Sequence, residues 1–508
     1  MQASITEWLD ITAERYPDKT AIVDEWGKIS FTMFRSKSHA VAWEIRKQNI
    51  GEQKPIVVFL EKSGRSVVSF LGVAYSRNFY CPIDIDMPAL RVNKILEILQ
   101  PAAAITTLKL YENFSKFDFH GPILFYENIE ENSKNEENVM TLSRKIIDTD
   151  LLYVLFTSGS TGIPKGVGIR HRSVIDYIDW VTEEFSVDEK NSFGNQAPFY
   201  FDNSILDIYC MLKTGATMYI IPKSLFAQPV LLLKYLEKNH IDIIFWVPSA
   251  LITIAKRKAL KNIDLSKTLK TILFCGEVMP NKQLNYWREH LPDAIYANLY
   301  GPTEITDACA FYLVDRDFRD DAPLPIGRPM KNTEILLLDE TDSLITPDQV
   351  GKIGELCVKG TSLAAGYYNN PKKTSEVFVQ NPLQNGYEEK LYRTGDLAWY
   401  NEYGELMYSG RKDDQIKHMG HRIELGEIET AVSSFCEVHR CCCFYDELRQ
   451  RIVLAVESDI EITKSEIRER LQQQIPEYML PGEVLYISKL PLNSNGKIDR
   501  KKLKADMC

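Results

Sequence analysis

Residues 151–166 read LLYVLFTSGSTGIPKG, an apolar run followed by a loop of hydroxyl and glycine residues. The apolar run predicts a buried strand, and the loop after such a strand is where α/β folds bind ligands. Glycines let backbone N–H groups approach phosphate oxygens, hydroxyl groups add donors, and Lys165 adds a positive charge. The stretch is not a Walker loop, because Pro164 precedes Lys165 and Gly166 follows it. A flexible surface turn is the alternative for a generic loop of this composition.

Short apolar runs alternate with helix-like segments along much of the chain. Three such runs occupy residues 55–60, 241–247 and 269–274, and residues 64–75 have helical spacing. Continuous apolar runs bounded by turns, with helices between them, are typical of parallel sheets covered on both faces. The predicted fold class is therefore α/β.

The overall composition describes an ordinary multidomain protein. A chain of 508 residues, 44% hydrophobic and 26% charged, is too long for one hydrophobic core. The formal net charge of −10 argues against a nucleic-acid-binding surface. No apolar run approaches the ~20 residues that cross a bilayer, and residues 1–7 lack the features of a signal peptide. We expect no membrane association and a cytoplasmic location.

The ten cysteines lack the spacing of a disulfide framework. Cys441, Cys442 and Cys443 cannot form a zinc site by themselves, because consecutive side chains diverge. Val438 before them and Phe444 after them predict a strand that carries small, half-buried thiols. We interpret these cysteines as structural.

Two changes in composition mark boundaries along the chain. Residues 127–138 are rich in Glu, Asn, Ser and Lys and predict a solvated loop. Beyond Gly410 glycine recurs at short intervals. The sequence after this stretch predicts a strand and then a charged helix at 465–474. We place a domain boundary at Lys412/Asp413, with enough chain beyond it for a small α+β domain. The predicted domains are 1–412 and 413–508.

Further motifs follow the loop at 157–166 in a fixed order. They are Tyr300-Gly301-Pro302-Thr303-Glu304, Gly354-Glu355-Leu356 with Gly366-Tyr367-Tyr368, Tyr392-Arg393-Thr394-Gly395-Asp396, residues 410–417 (GRKDDQIK), residues 422–429 (RIELGEIE) and Asn495-Gly496-Lys497-Ile498-Asp499. Each alone is a weak pattern, but the ordered set resembles the adenylate-forming superfamily of acyl-CoA synthetases, luciferases and nonribosomal peptide adenylation domains. The resemblance spans essentially the whole chain. It implies a large N-terminal domain of parallel-rich sheets covered by helices plus a barrel-like part, and a small mobile α+β C-terminal domain.

The resemblance implies an enzyme that joins a carboxylate to the α-phosphate of ATP, with Mg²⁺ as cofactor. Two anions meet in this reaction, so the catalyst must neutralise charge and align the attack. Thr303 and Glu304 would face the α-phosphate and Mg²⁺, since a hard cation suits a carboxylate and phosphate oxygens. The remaining ATP contacts implied are Tyr300 near the adenine, Asp396 on both ribose hydroxyls, Arg411 near the ribose or phosphates, and Thr157, Ser158, Gly159, Ser160, Thr161 and Lys165 at the pyrophosphate end. The alternatives are that Asp396 caps a turn and that Tyr300 packs in the core.

Two residues are implied to serve a change of domain orientation. Lys497 would ordinarily be a solvated surface charge, but by resemblance it swings in and bridges the carboxylate and the α-phosphate during adenylation. Asp413 stands where the family has its hinge, at which a few residues absorb a large backbone rotation between adenylation and thioester formation.

Asp202 indicates the class of acid. An α-ammonium entering a partly dry pocket needs a carboxylate partner. In amino-acid-activating members an aspartate at this place is that partner, so the resemblance implies an α-amino acid rather than a fatty or aryl acid. The alternative is a helix N-cap, because Asp202 precedes an apolar helical run.

The implied substrate pocket suggests a small or medium side chain. Residues 273–278 are similar to D-alanine–D-alanyl carrier protein ligases, in which the cysteine helps choose the D-isomer, so D-alanine is the first candidate. Asn203 and Asp307 depart from the apolar residues expected there, and Asp307 suits a polar or cationic side chain unless it points outward. Besides Asp202 the pocket comprises Asn203, Leu206, Phe245, Leu273, Cys275, Leu299, Asp307 and Ala308.

The implied acceptor is the phosphopantetheine thiol of a carrier protein that acts in trans, because the chain ends soon after Lys497. An acyl- or aryl-CoA ligase is the alternative, and Asp202 argues against its usual substrates. A catalytically silent nucleotide-binding protein would be expected to lack Glu304, Asp396 or Lys497, and all three are present.

Overall fold

The structure is a computed structural model that describes residues 2–131, 139, 143–159, 162–458, 462–491 and 498–507. Its large N-terminal part consists of two mainly parallel sheets flanked by helices and of one antiparallel sheet, and a smaller α+β part follows. This arrangement confirms the α/β fold class.

The larger parallel sheet carries the residues of the predicted substrate pocket. Its central strands run parallel, and its last strands at either edge are antiparallel. Phe245 pairs with Leu273, and Leu273 pairs with Ala297, so neighbouring strands bring the pocket residues to one end of the sheet. In spatial order the strands are Arg328–Pro329, Ala310–Leu313, Ile295–Tyr300, Thr271–Phe274, Ile243–Trp246, Ser192–Asn195, Thr217–Ile220, Thr20–Asp24 and Gly27–Ser30.

The second sheet carries the loop at 157–166. The predicted strand at 151–156 is confirmed as Leu151–Thr157, which pairs antiparallel with Lys165–Arg170 across that loop. The strands of this sheet in spatial order are Gly366–Tyr367, Lys165–Arg170, Leu151–Thr157, Phe79–Pro82, Pro55–Val58, Ala103–Thr106 and Ile123–Phe125.

The predicted barrel-like part corresponds to an antiparallel sheet between residues 333 and 411. Its longest strand, Lys390–Tyr400, bends so that different stretches pair with three neighbours. Asp396 lies on this strand opposite Arg411. The strands are Leu344–Ile345, Thr333–Leu338, Gly354–Gly360, Lys390–Tyr400, Phe378–Gln380 and Leu406–Arg411.

The C-terminal part contains a hairpin and a three-stranded sheet. The hairpin, Gln415–His418 with His421–Glu424, precedes the helix Leu425–Ser433. The strand predicted around the three consecutive cysteines is confirmed as Val438–Asp446, and it pairs with Arg451–Ser458, which in turn pairs with Glu483–Tyr486. The thiols are buried rather than half-buried, because helices cover both faces of this sheet.

The helices cover the sheets, and none of those described is long and apolar enough to span a membrane. The helix predicted at 64–75 is confirmed, and that at 465–474 is confirmed as Lys464–Gln472. The α-helices are Thr6–Arg15, Phe31–Lys47, Gly64–Tyr75, Ala89–Leu99, Tyr111–Phe114, Tyr126–Glu131, His171–Glu184, Ser204–Thr214, Pro229–Lys238, Pro248–Lys256, Asn281–His290, Pro371–Val377, Leu425–Ser433, Lys464–Gln472 and Arg500–Met507; the 3₁₀ helices are Lys223–Ala227, Ala259–Asn262, Thr303–Ile305 and Glu477–Met479.

The loop predicted at 127–138 is wrong in its first part. Residues 126–131 form a helix, and Tyr126 and Ile129, one helical turn apart, are buried in the main core. Residues 132–138 lie outside the described residues.

Candidate active site

The phosphate loop, residues 157–166, connects two paired strands of the second sheet. Gly159 lies so close to the backbone carbonyl of Ile163 that a Cβ atom would overlap it, and Gly162 has a φ of 74°. Both positions therefore need glycine. Ser160 and Thr161 lie outside the described residues, so their predicted roles stay predictions.

The small domain contacts this loop through the hairpin at 415–424 and the helix after it. Ser158 donates a hydrogen bond from Oγ to the carbonyl of Arg422 at 2.7 Å and accepts one from the N–H of Glu424 at 3.2 Å. Lys165 Nζ lies 3.3 Å from a Glu424 carboxylate oxygen, and the carboxylate of Glu427 lies near the N–H of Gly159. Donors suited to phosphate oxygens thus face small-domain carboxylates in this domain orientation.

Glu304 is completely buried beside the loop. Arg422 binds its carboxylate at 2.6 Å, and the hydroxyl of Tyr367 donates to it at 2.7 Å. Burial alone would raise the pKa of Glu304, but Arg422, Lys165 and the Tyr367 hydrogen bond together lower it to about 2. Glu304 is therefore ionised at neutral pH.

An ionised carboxylate beside a phosphate-binding loop fits Mg²⁺. This cation is typically held by one or two carboxylates together with substrate phosphates rather than by a cage of protein ligands. Within the described residues no group of three or more His, Cys, Asp or Glu side chains is placed to hold a metal. Glu304 would contribute the protein ligand, with Arg422 displaced from that oxygen.

Asp396 and Arg411 form a second polar cluster on the antiparallel sheet. The hydroxyl of Tyr300 donates to Asp396 Oδ2, and Arg411 binds Asp396 Oδ1 at 2.7 Å. Arg411 also holds Asp413 with two hydrogen bonds of 2.6 and 2.8 Å. Asp396 thus contacts both Tyr300 and Arg411, the other two predicted ATP contacts of this cluster, and both of its oxygens already have donors.

The acid pocket, defined by the nine predicted substrate residues, gathers at the end of the larger sheet. Phe245, Leu273 and Leu299 come from adjacent parallel strands and point to the same core as Leu206. Asp202 and Asn203 begin the helix Ser204–Thr214. The remaining members, Cys275, Asp307 and Ala308, are buried between these elements.

Asp202 connects the acid pocket to the phosphate side of the site. Its carboxylate accepts a hydrogen bond from the N–H of Asn203 at 3.1 Å, and the Thr303 hydroxyl lies close to it. Burial raises the pKa of Asp202, and Thr303, Lys417 and the Asn203 N–H partly counter this increase. The carboxylate bonds only the adjacent N–H rather than one further into the helix, so it is not a typical N-cap.

Several residues of the site were missed by sequence reasoning. Arg422 and Lys417 belong to motifs that were recognised, but only the folded hairpin shows that they lie beside Glu304 and Tyr300, with the Lys417 ammonium 5.6 Å from the Tyr300 ring centre. Tyr177, which donates to Asp307 at 2.6 Å, carried no sequence signal. Lys497 lies outside the described residues.

Comparison with known proteins agrees with this geometry. Residues 9–368 match the family of AMP-binding enzymes, and residues 427–497 match the AMP-binding enzyme C-terminal domain. The chain belongs to the AMP-binding enzyme family. It is an enzyme, an adenylate-forming ligase, as the ordered motifs predict.

Relatives of this AMP-binding enzyme fall into two groups. It is 34% identical over 99% of both chains to a D-alanine–D-alanyl carrier protein ligase of Bacillus thuringiensis (strain Al Hakam). It is 31% identical to one of the polypeptides of mycosubtilin synthase from Bacillus subtilis, of whose length it spans only 19%. Its fold is similar to that of an artificially fused adenylation–PCP di-domain from Klebsiella oxytoca, with a TM-score of 0.82 at 20% identity over 95% of this chain and 94% of that one.

Proposed function

We propose that this enzyme uses ATP to convert an α-amino acid into its aminoacyl-adenylate, and then transfers the aminoacyl group to the phosphopantetheine thiol of a carrier protein in trans. The observation that carries the proposal is Asp202, a half-buried carboxylate that lies close to Thr303. It lies where it can pair with the α-ammonium of an acid whose carboxylate faces the phosphate side. A fatty or aryl acid would supply no cation to pair with that carboxylate, which is costly where burial removes it from water.

The residues of the site divide the adenylation step between them. The phosphate loop with Lys165 holds the pyrophosphate end of ATP, and Thr303 positions the α-phosphate. Tyr300 lies near the adenine, while Asp396 and Arg411 bind the ribose side. Mg²⁺, when bound at Glu304, supplies charge neutralisation on the phosphate oxygens.

Lys497 completes the adenylation site in our proposal. It bridges the substrate carboxylate and the α-phosphate when the small domain brings it in, and the contacts of Arg422 and Glu424 belong to the other orientation. The variant Lys497→Ala is expected to lose most adenylation but to retain much transfer from a preformed adenylate. An equal fall in both half-reactions would contradict this division.

The domain boundary at Lys412/Asp413 and the hinge at Asp413 remain our proposals. Arg411 supports the hinge assignment. It is the last residue of the strand Leu406–Arg411, and it binds the Asp413 carboxylate with two hydrogen bonds. A rotation at this residue must break or re-form that pair. Hinge residues of this kind absorb large backbone changes at the end of an element.

The carrier protein is supported by the relatives that align with the whole chain, since they are named as D-alanyl carrier protein ligases. The same relatives, with Cys275 buried in the acid pocket, make D-alanine the first candidate substrate. ATP–pyrophosphate exchange across a panel of D- and L-amino acids tests the proposal. Exchange with fatty or aryl acids alone, together with a CoA thioester product, would replace it by the CoA-ligase alternative.

A variant of Asp202 tests the decisive residue directly. Losing one partner of a buried charge pair costs about 2–5 kcal/mol, so Asp202→Asn is expected to lower kcat/KM in amino-acid-dependent exchange roughly 100-fold. Asp264→Asn is the control, because that carboxylate only accepts hydrogen bonds within an exposed turn. An unchanged rate of ATP–pyrophosphate exchange in Asp202→Asn would show that Asp202 does not bind the α-ammonium group of the substrate.

A further inference from the structure

Three buried polar atoms around the acid pocket have no hydrogen-bond partner among the described residues. They are Asp307 Oδ1, Asn203 Nδ2 and the hydroxyl of Tyr153. Most buried polar atoms in folded proteins are hydrogen-bonded, because an unpaired one loses its bonds to water without replacement. A group of unpaired atoms in one pocket indicates a polar ligand that supplies the missing partners.

Asp307 is the most constrained of the three. Its side chain is enclosed, with the residue only 1% exposed, and Tyr177 donates to its Oδ2 at 2.6 Å. Thr306 and Asp307 have φ values of 63° and 78°, in the left-handed region that such residues rarely adopt. The tyrosine and the unusual backbone fix one carboxyl oxygen and leave the other, Oδ1, without a partner.

Asp307 belongs to the same pocket as Asp202. The charge of Asp202 raises the pKa of Asp307, and both carboxyls raise the pKa of the Cys275 thiol. Lys417 favours the charged form of each carboxyl, yet Asp307 Oδ1 still has no hydrogen bond among the described residues. Asp307 is only 1% exposed, so its carboxyl is not directed to the solvent, and the direction of Oδ1 into the pocket is part of our proposal.

We propose that Asp307 Oδ1 accepts a hydrogen bond from the side chain of the substrate, so that the enzyme selects short α-amino acids whose side chain ends in an amino or hydroxyl group. The inference rests on the proposed function and deepens it. Asp202 binds the α-ammonium, and Asp307 binds the donor at the end of the side chain. Alanine, which has no such donor, would leave Asp307 Oδ1 unpaired, so the geometry around Asp307 ranks donor-bearing amino acids above D-alanine, the first candidate that the relatives suggest.

The surrounding residues require the side chain to be short. Leu206, Phe245 and Leu273 are almost completely buried and pack against the same core as Cys275. In our proposal their bulk limits the length of the side chain that can reach Asp307. The pKa of Asp307 is raised by burial and by Asp202, so an amino group on the substrate would also provide the positive charge that allows Asp307 to ionise.

ATP–pyrophosphate exchange with matched substrates tests the inference in the wild-type enzyme. Serine, 2,3-diaminopropionate and 2-aminobutyrate have side chains of the same length that end in a hydroxyl, an amino and a methyl group. Homoserine, 2,4-diaminobutyrate and norvaline form a second set that is one atom longer. Both enantiomers of each are compared with alanine at saturating Mg·ATP.

The expected result is a preference for a donor-bearing member. Leaving a buried acceptor unpaired costs about 1–3 kcal/mol, so kcat/KM for the amino or hydroxyl member should exceed that of its methyl analogue by about 10- to 100-fold. A higher value for the amino member than for the hydroxyl member identifies a charged partner of Asp307, and the reverse order identifies a neutral one. Either order supports the inference.

The variant Asp307→Ala adds a second measurement. It is expected to abolish the preference within each set while 2-aminobutyrate is still activated, whereas Tyr177→Phe retains the carboxyl and should keep the order of preference. If Asp307→Ala does not fold, the comparison of the matched substrates with the wild-type enzyme still tests the proposal, because it needs no variant.

The two proposals fail in different ways. Equal or better exchange with 2-aminobutyrate, norvaline or alanine than with the donor-bearing members overturns the role of Asp307 and leaves amino-acid activation intact. Absence of exchange with every amino acid overturns the proposed function itself.

Discussion

The phosphate loop and the acid pocket differ in how their buried charges are paired. At the loop, Glu304 is ionised and bound by Arg422, and Lys165 faces Glu424. In the pocket, Asp307 is buried as deeply as Glu304, but one of its oxygens has no partner among the described residues. A buried carboxylate is thus fully paired at the loop, whereas in the pocket one keeps an oxygen without a partner among the described residues.

We interpret the phosphate loop as a surface that ATP and the small domain occupy in turn. The acid pocket is instead a surface that only the substrate fills. In our proposal the loop alternates between phosphate oxygens and the small domain, whose Glu424 carboxylate binds Lys165 in the orientation of this structure. Within the described part of the small domain, no donor reaches Asp307 Oδ1. The comparison predicts opposite responses to equivalent substitutions on the two sides.

The largest expected effect comes from the isosteric pair Glu304→Gln and Asp307→Asn. Glu304→Gln leaves Arg422 as a buried charge without its partner, a defect that costs about 3–5 kcal/mol. Asp307→Asn removes a carboxyl whose charged form burial disfavours, so it should leave the free energy of unfolding unchanged or increase it. Urea or thermal unfolding of the two variants without ligand measures the contrast.

The pH dependence of these stabilities has opposite signs. Folding lowers the pKa of Glu304 to about 2, so its contribution is present above its ordinary pKa of 4.5 and is lost as the pH falls toward 2. Folding raises the pKa of Asp307, so its contribution is present in acid and is lost as the pH rises through the raised value. The advantage of Asp307→Asn over the wild type should therefore grow with pH. If Glu304→Gln and Asp307→Asn were destabilised equally, the two carboxylates would not differ in how they are paired.

The sequence predicts the loop side well because its contacts are local. The apolar strand, the glycines that approach a carbonyl and Lys165 lie within residues 151–166, and the ordered motifs extend the prediction to Glu304 and Asp396. The pairing of Arg422 with Glu304 could not be predicted, because the two residues are 118 positions apart and meet only through the orientation of the small domain.

The resemblance predicts which residues line the acid pocket but not how their polar atoms are paired. The hydrogen bond from Tyr177 to Asp307 joins residues 130 positions apart, and neither residue carries a sequence signal for it. The segment 126–131 shows the opposite kind of error. Its polar composition predicts a loop, whereas burial of Tyr126 and Ile129 in the main core stabilises a helix.

An intermediate effect is expected from the buried pair of Arg91 and Glu427, which joins the large and small domains beside the phosphate loop. Arg91→Met leaves Glu427 without its cation and should destabilise the orientation seen here. Transfer to the carrier protein is expected to fall about tenfold, corresponding to ~1.4 kcal/mol, with much less change in adenylation. The two half-reactions are measured separately, by exchange and by loading of the carrier.

Arg319→Met is the matched control for this pair, because Arg319 and Asp321 form an exposed ion pair on the surface. Exposed pairs contribute little, so both half-reactions should remain near the wild-type rates. If Arg91→Met slowed adenylation as much as transfer, the contact with Glu427 would serve general stability rather than one domain orientation.

The smallest expected effect is that of Ser158→Ala, which tests whether the loop is shared. The Ser158 hydroxyl donates to the carbonyl of Arg422 and accepts from the N–H of Glu424, and in our proposal it donates to pyrophosphate oxygens in the other orientation. Losing one such hydrogen bond costs about 1 kcal/mol, so adenylation and transfer should each fall about fivefold. A loss confined to adenylation would show that the hydroxyl serves ATP alone, and that the small domain reaches the loop without depending on it.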